Sequence, residues 1–334
     1  MSNKILTISV AAYNLGELIR KNIESFIKSK YKDNIELIVV DDGSIDNTSE
    51  IVEEYREKYP NVIKLIKKKN EGAGSTVNYG IINATGKYFK MVDGDDWVET
   101  DALDIIIDKL RNNNTDMVIT NYEIFNNETK EIISIEKVKN INPNEIKNFC
   151  DVSKSISLAM HNIIIKTDIL QKNKIKLDNG FYTDVEYILL PIPHVNSIIY
   201  YNLNLYVYMI AREGQSMSFL SLQKHIDMHD IVLKRMVNYY ENNKKILKKN
   251  VRTFMKNKIS VIATNQLQTI LTFKDYKIKT KKVKQLNSFL KQNSKEIYYK
   301  YKYKSKKALL IIDTNYLLLN SISKKYLKKL TKEV

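Results

Sequence analysis

Over the first 120 residues, apolar runs of strand length alternate with segments of helical periodicity. That alternation confines the chain to a narrow set of folds. Ile5–Tyr13, Ile35–Val40, Val62–Ile66, Lys87–Val92 and Asp116–Tyr122 are rich in β-branched and aromatic residues, as strands are. Ile35–Val40 is apolar almost throughout, the mark of a strand covered on both faces. Between the runs, Leu18, Ile19, Ile23, Phe26 and Ile27 fall on one helical stripe. Asn14 with Glu17, and Asn47 with Glu50, give N-x-x-E helix starts. Pro60 and Asn61 stop the second helix, and a glycine-rich turn, Asn70–Ser75, opens the third. Strands alternating with helices predict an α/β fold on a mostly parallel, doubly wound sheet.

Beyond residue 122 the pattern loosens. Residues 123–150 read as irregular, with a hairpin around Asn126–Asn127. Asn162–Lys166 reads as a strand and Thr167 as the cap of a short helix. Thr183 and Glu186 make a T-x-x-E capping box that puts Asp184 in the first helical turn. Ser197–Ile210 returns to strand character, and after Ser216 the periodicity is helical to the end. The expected division is a domain over residues 1–218 and a basic, mainly helical region over 219–334.

Composition excludes several classes. With 43% apolar residues in 334, the chain has material for a real core. Nine Gly and four Pro exclude collagen-like and proline-rich chains. A single cysteine, Cys150, excludes an intramolecular disulfide. The N-terminal apolar stretch is too short for a signal peptide, and no window nears the roughly 20 apolar residues of a membrane span. The expected location is cytoplasmic. Charge is unevenly placed: residues 272–334 hold 18 lysines and four acidic residues, a net +14 of the chain's +16. A nearly neutral body with a basic tail suits a polyanion, and the tail's tyrosines and amphipathic helix suit an anionic membrane surface at its inner face. The same lysines also fit a solvated helical face, a helical subdomain or an oligomer contact. No nucleic-acid motif accompanies the charge, so nucleic acid is not the expected partner.

Two acidic clusters stand at predicted strand ends 52 residues apart: Asp41-Asp42 and Asp93-Gly94-Asp95-Asp96. In open parallel sheets ligands bind at the carboxyl ends of strands. Crowded carboxylates are tolerated when a cation or hydrogen-bond donors share the site, and oxygen-only ligands suit Mg²⁺ or Mn²⁺. An ionised Asp41 could accept the N3–H of uracil or thymine, which favours a UDP-sugar, with a dTDP-sugar second. A single D-x-D triplet is common in loops; two clusters so placed are harder to dismiss.

Residues 5–97 resemble the donor half of a family 2 glycosyltransferase of the GT-A fold. The resemblance rests on TISVAAYN, IELIVVDDGSIDNT, NEGAGSTVNYG and ATGKYFKMVDGDDW in order. It continues more faintly to about residue 218, making residues 98–218 the acceptor half. FYTDVEYILL resembles the segment of the family's catalytic base, which the resemblance places at Asp184. MHNIIIKTDIL resembles the acceptor-side strand and helix, and YMIAREGQSMS a segment that follows the base. Val77 departs from an arginine common in relatives, and Gly94 from a serine.

The resemblance implies inverting transfer of a sugar to a hydroxyl of a glycan or lipid-linked acceptor in bacterial surface-polysaccharide synthesis. Asp184 is then the general base and Asp95 holds Mg²⁺ or Mn²⁺. The donor lies against Ala12, Tyr13, Asp41, Asp42, Asn70, Gly72, Asn78, Asp93, Gly94 and Arg212. Trp97 and His161 are acceptor-side candidates, although a plug over a helix start and a pocket-lining role are the plainer readings of each. Two other classes compete. A Rossmann oxidoreductase needs G-x-G-x-x-G after the first strand, where AAYNLG stands. A transferase-like partner subunit or glycan-binding module would lack Asp95 or Asp184, and both are present.

Overall fold

The computed structural model describes residues 4–180, 182–211 and 219–330. The chain divides into two compact units, residues 1–213 and 214–334.

The first unit is an α/β domain built in chain order from β1 (Leu6–Ala12), α1 (Leu18–Ile27), β2 (Ile35–Asp41), α2 (Thr48–Lys58), β3 (Ile63–Lys67), α3 (Ala73–Asn83), β4 (Tyr88–Asp93), β5 (Trp97–Val98), α4 (Thr100–Asn112), β6 (Met117–Asn126), β7 (Glu131–Glu136), β8 (Ile146–Asn148), α5 (Phe149–Val152), β9 (Ile163–Lys166), α6 (Thr167–Lys172), α7 (Thr183–Leu189) and β10 (Ser197–Ile210). The sheet runs β3-β2-β1-β4-β9-β6-β10-β5, with β7 on β6 and β8 on β10. The first four strands are parallel. β9 then inserts antiparallel to both β4 and β6, and β6 and β10 run parallel. The parallel character read from the alternation therefore belongs to the first half, and the second half is mixed. Helices α1, α2 and α4 pack together, as do α3, α6 and α7. Leu6, Ile8, Leu37, Val39, Phe89 and Val92 are buried to the last few per cent, as strands covered on both faces must be.

Order 3-2-1-4 makes a switch point at β1, where the chain turns from building outward on one side to building on the other. The register places Ala12 beside Asp41 and Ala11 beside Asp93. Both acidic clusters therefore leave the sheet at this crevice.

Several helix starts differ from their sequence reading. Asn14 does not cap α1. It takes a left-handed φ of 49°, a conformation asparagine tolerates, and its Oδ1 accepts the Ile45 N–H at 2.9 Å. Thr167 is the first residue of α6 rather than its cap, and its hydroxyl donates to Gly86 O. No reciprocal box joins Thr183 and Glu186, since Glu186 Oε2 accepts the Asp178 N–H at 2.5 Å.

The second unit is helical: α8 (Phe219–Lys224), α9 (Ile226–Asn243), α10 (Lys249–Leu271), α11 (Tyr276–Asn293), α12 (Lys295–Lys304), α13 (Lys306–Asp313) and α14 (Leu319–Leu330). α10 is the hub, touching α8, α9, α11, α12 and α14. Its Met255, Ile259, Ala263 and Leu267 are fully buried with Leu233, Val283, Leu290 and Tyr301. Asp275, Ser294 and Ser305 cap α11, α12 and α13 by accepting the N–H groups of Ile278, Ile297 and Ala308. Among the described residues no helix is long and apolar enough to cross a membrane.

Candidate active site

The crevice is laced before any ligand enters it. Asp41 Oδ1 accepts the Ser44 N–H at 2.9 Å and the Ser44 hydroxyl at 2.5 Å, and Oδ2 accepts the Ser49 hydroxyl. Of roughly four acceptor positions on a carboxylate, one is left for a base. Ser44 Oγ in turn accepts the Asn14 N–H at 3.0 Å, and Thr48 Oγ1 accepts those of Leu15 and Gly16. Ala12 is buried and accepts the Asp42 N–H at 2.8 Å, while Tyr13 is half exposed.

Asp42 faces inward. It forms a buried ion pair with Lys68 and accepts the N–H groups of Glu71 at 2.9 Å and Gly72 at 2.8 Å. The carboxylate thus closes the glycine-rich turn, with exposed Asn70, onto the end of β2. That turn abuts residues 178–180. Gly72 has φ 97°, and a Cβ there would lie 2.0 Å from Asn179 O. A Cβ on Gly74 would lie 1.6 Å from Asp178 O, and the Gly74 N–H donates to Gly180 O at 3.2 Å. Asn78, expected against the donor, spends its amide on both backbone groups of Leu177, at 2.9 and 2.8 Å. With Glu186 holding Asp178, the glycine-rich turn and α7 clamp the segment that delivers Asp184.

Asp184 sits exposed in the first turn of α7. Its charge and that of Asp95 reach the partly buried Asp93 carboxyl, which desolvation first and then these neighbours push up to about 7. Asp96 is buried, accepting the Tyr206 hydroxyl at 2.5 Å and the Met209 N–H at 2.8 Å. Burial and the adjacent Asp93 and Asp95 raise it well above the usual carboxylate range. The turn itself is pinned by Asn22, whose Nδ2 donates to Asp93 O and Asp96 O at 3.1 and 2.8 Å. Gly94 has no room for a side chain, since a Cβ would lie 2.2 Å from Leu15 Cδ1 and 2.7 Å from Ala11 O.

Behind the carboxylates stands an aromatic box. The His161 ring lies 4.6 to 4.9 Å from those of Tyr122, Tyr206 and Tyr208. Ligand atoms of Asp93, Asp96 and His161 lie within 4.8 Å of one another. Burial first, then the Lys90 charge, lowers the His161 imidazole to about 3, so it stays neutral. Lys90 is fully buried in β4 and donates to His161 O at 2.8 Å. Asp96, Lys90, Tyr206 and Tyr208 were not singled out as individual functional candidates from sequence. Asp96 stands in the acidic cluster and Tyr206 and Tyr208 in a tyrosine-rich strand, while the signal for Lys90 is a lysine inside an otherwise apolar strand.

Trp97 turns away from this box. It joins Val207 and Met209 in a buried cluster with Leu18 and Phe125, and Lys21 Nζ lies 3.1 Å from its ring centre. The ring forms part of the wall of an open cleft of about 700 Å³ with Glu99, Lys130 and Glu131. Arg212 lies outside the described residues.

Acidic groups at the ends of β2 and β4, on either side of β1 at the switch point, sit on an α/β sheet of GT-A type. Residues 7–173, half of the chain, match the family described as Glycosyl transferase family 2, and the chain belongs to that family. It is 27% identical over 302 residues to the Glycosyltransferase GlyA of Streptococcus pneumoniae, covering 84% of this chain and 42% of that one. It is 38% identical over 122 residues to the Putative glycosyltransferase EpsH of Bacillus subtilis, covering 36% and 35%. These matches span less than half the length of either relative. Among solved structures, S. aureus TarS 1–349 in complex with UDP-GlcNAc superposes with a TM-score of 0.67 at 17% identity, covering 97% of this chain and 92% of that one. This last likeness is one of fold.

Proposed function

We propose that the protein is an inverting, metal-assisted glycosyltransferase that moves a sugar from a UDP-sugar to a hydroxyl of a glycan or lipid-linked acceptor, in building a bacterial surface polysaccharide. The carrying observation is the convergence of Asp93, Asp95 and Asp184. Burial first, then the charges of Asp95 and Asp184, raises the Asp93 carboxyl to about 7, so both neighbours lie within electrostatic reach of it. Family membership supports the reaction class, and TarS supports the capacity of this fold to hold a UDP-sugar.

The acceptor oxygen bonds to the anomeric carbon while the bond to the diphosphate oxygen breaks. The electron pair leaves with the UDP and the hydroxyl proton passes to Asp184. The first turn of a helix favours the carboxylate form that this requires. Asp41, oriented by Ser44 and Ser49, meets the base with its remaining acceptor position, and Asp42 acts on the donor through the turn it closes. The oxygen donors of Asp95 and Asp93 fit Mg²⁺ or Mn²⁺, which relieves the crowding of like charge. Such an ion would neutralise charge on the departing diphosphate.

Nucleotide release from a panel of UDP- and dTDP-sugars tests this, with Mn²⁺ or Mg²⁺ present. Asp184→Asn is expected to bind donor and lose about 10²–10⁴ of turnover. Asp95→Ala is expected to lose metal-dependent donor binding. Binding of no nucleotide-sugar in the presence of metal overturns the reading.

A further inference from the structure

Between Tyr276 and Leu330 the chain carries 16 lysines and two acidic residues. Both acids are engaged: Glu296 with Lys256 at 3.1 Å and Asp313 with Lys302 at 2.5 Å. What remains is a strongly cationic surface, with Lys300, Lys304 and Lys306 exposed. Large apolar side chains are exposed in the same neighbourhood. Leu317 is 84% exposed, and Leu310, Leu318, Tyr299 and Tyr303 are exposed with it. Leu310 and Asp313 lie three residues apart on α13, and Leu317 follows in the turn that ends it. The Asp313–Lys302 pair ties them to α12, where Tyr299 and Tyr303 stack at 6.2 Å.

The turn presenting Leu317 is ordered by its own bonds. α13 ends in a Schellman motif: the Tyr316 N–H donates to Ile311 O at 2.8 Å and the Asn315 N–H to Ile312 O at 3.1 Å. Asn315 and Tyr316 both adopt left-handed φ, 47° and 71°. That conformation is costly for tyrosine. Asn287 Nδ2 holds the Tyr316 hydroxyl at 3.3 Å, and Lys284 lies 5.5 Å from its ring centre. The Leu317 N–H then donates to Thr314 O at 3.0 Å. Backbone strain is thus retained to hold a leucine out in water, beside lysines.

We propose that this face of the helical unit docks on an anionic lipid bilayer. Leu317, Leu310 and Leu318 enter the interface, the tyrosines lie at headgroup level and the lysines meet the lipid phosphates. A nucleic acid would satisfy the lysines but has no use for three exposed leucines, so the bilayer is the better fit. This goes beyond the transfer reaction and does not depend on it.

Flotation of the full chain with vesicles is the test, using phosphatidylcholine alone and phosphatidylcholine mixed with phosphatidylglycerol. Binding is expected to the mixed vesicles only and to weaken with salt. Lys300→Gln/Lys304→Gln/Lys306→Gln and Leu310→Ser/Leu317→Ser are each expected to weaken it by about tenfold or more, with unchanged melting temperature. Leu317→Trp, at a site too exposed to disturb the core, gives a second readout: its emission is expected to shift to the blue on mixed vesicles and to be quenched by brominated lipid. Equal flotation on both vesicle types, an unshifted Leu317→Trp emission, or tighter binding to RNA than to mixed vesicles overturns the proposal.

Discussion

At the scale of single residues, the two carboxylates that end β2 are adjacent in sequence and opposite in task. Asp41 keeps one acceptor position open at the crevice, whereas Asp42 is consumed by Lys68 and two backbone N–H groups. Removing the Asp42 charge leaves the Lys68 ammonium in a site where its side chain is only 6% exposed, with half-exposed Glu71 at 3.1 Å as its remaining ion-pair partner. Breaking a buried pair from one side costs about 3 kcal/mol or more. Asp42→Asn is therefore expected to lower the melting temperature clearly and Asp184→Asn, at an exposed helix start, to change it far less. Thermal melts of the two variants check this; equal melting temperatures would remove the structural role assigned to Asp42. Gly94 shows the same economy, since its lack of a side chain lets the acidic turn lie against β1.

At the scale of elements, the glycine-rich turn and α7 act as one device. Gly74 meets Asp178 at a distance that admits no methyl group. Gly74→Ala must push residues 178–180 aside, and because the obstacle is backbone the shift passes along the chain to Asp184. A displacement of about 1 Å costs up to roughly 10²-fold in rate, so turnover is expected to fall by at least about tenfold with donor affinity changed far less. A kcat against KM comparison on the donor decides it. The residues of this clamp were visible in the sequence, but their partners were not. Asn78 and Leu177 are 99 positions apart, and no local periodicity encodes such a pairing. The strands were legible where burial on both faces imposed an apolar run, and Ser197–Ile210 forms β10 over that whole span. Antiparallel β9 between β4 and β6 was not legible, because strand direction leaves no mark on a run as short as Ile163–Lys166. Caps were misread at Asn14 and Thr183, whose side-chain chemistry suits a cap but whose neighbours across the crevice compete for the same groups.

At the scale of the whole molecule, stability against pH reports on charges buried far from water. The lowered imidazoles of His161 and His229, about 3 and about 4, act on the acid side, where the raised Asp93 and Asp96 carboxyls oppose them. Above neutrality Lys90 stands out. Burial lowers it from 10.5 to about 7, so between these values the folded chain has released a proton that the unfolded chain still binds. Stability then rises with pH through that window, at about 1.4 kcal/mol per unit for one group. The gain is complete only above the unfolded value and is lost as pH falls through 7. Tyrosines buried in the fold ionise first in the unfolded chain near pH 10 and reverse the trend there, which leaves roughly pH 7 to 9 as the useful range. Urea unfolding of the metal-free protein across that range is expected to give a slope more positive than that of Lys90→Met, the raised Asp96 carboxyl pulling both the other way. The difference in slope is the measure, since the substitution also strips a donor from His161 O and shifts absolute stability by an unrelated amount. Equal slopes would mean that Lys90 keeps its proton inside β4, with its charge balanced by the carbonyls and the Tyr206 ring around it.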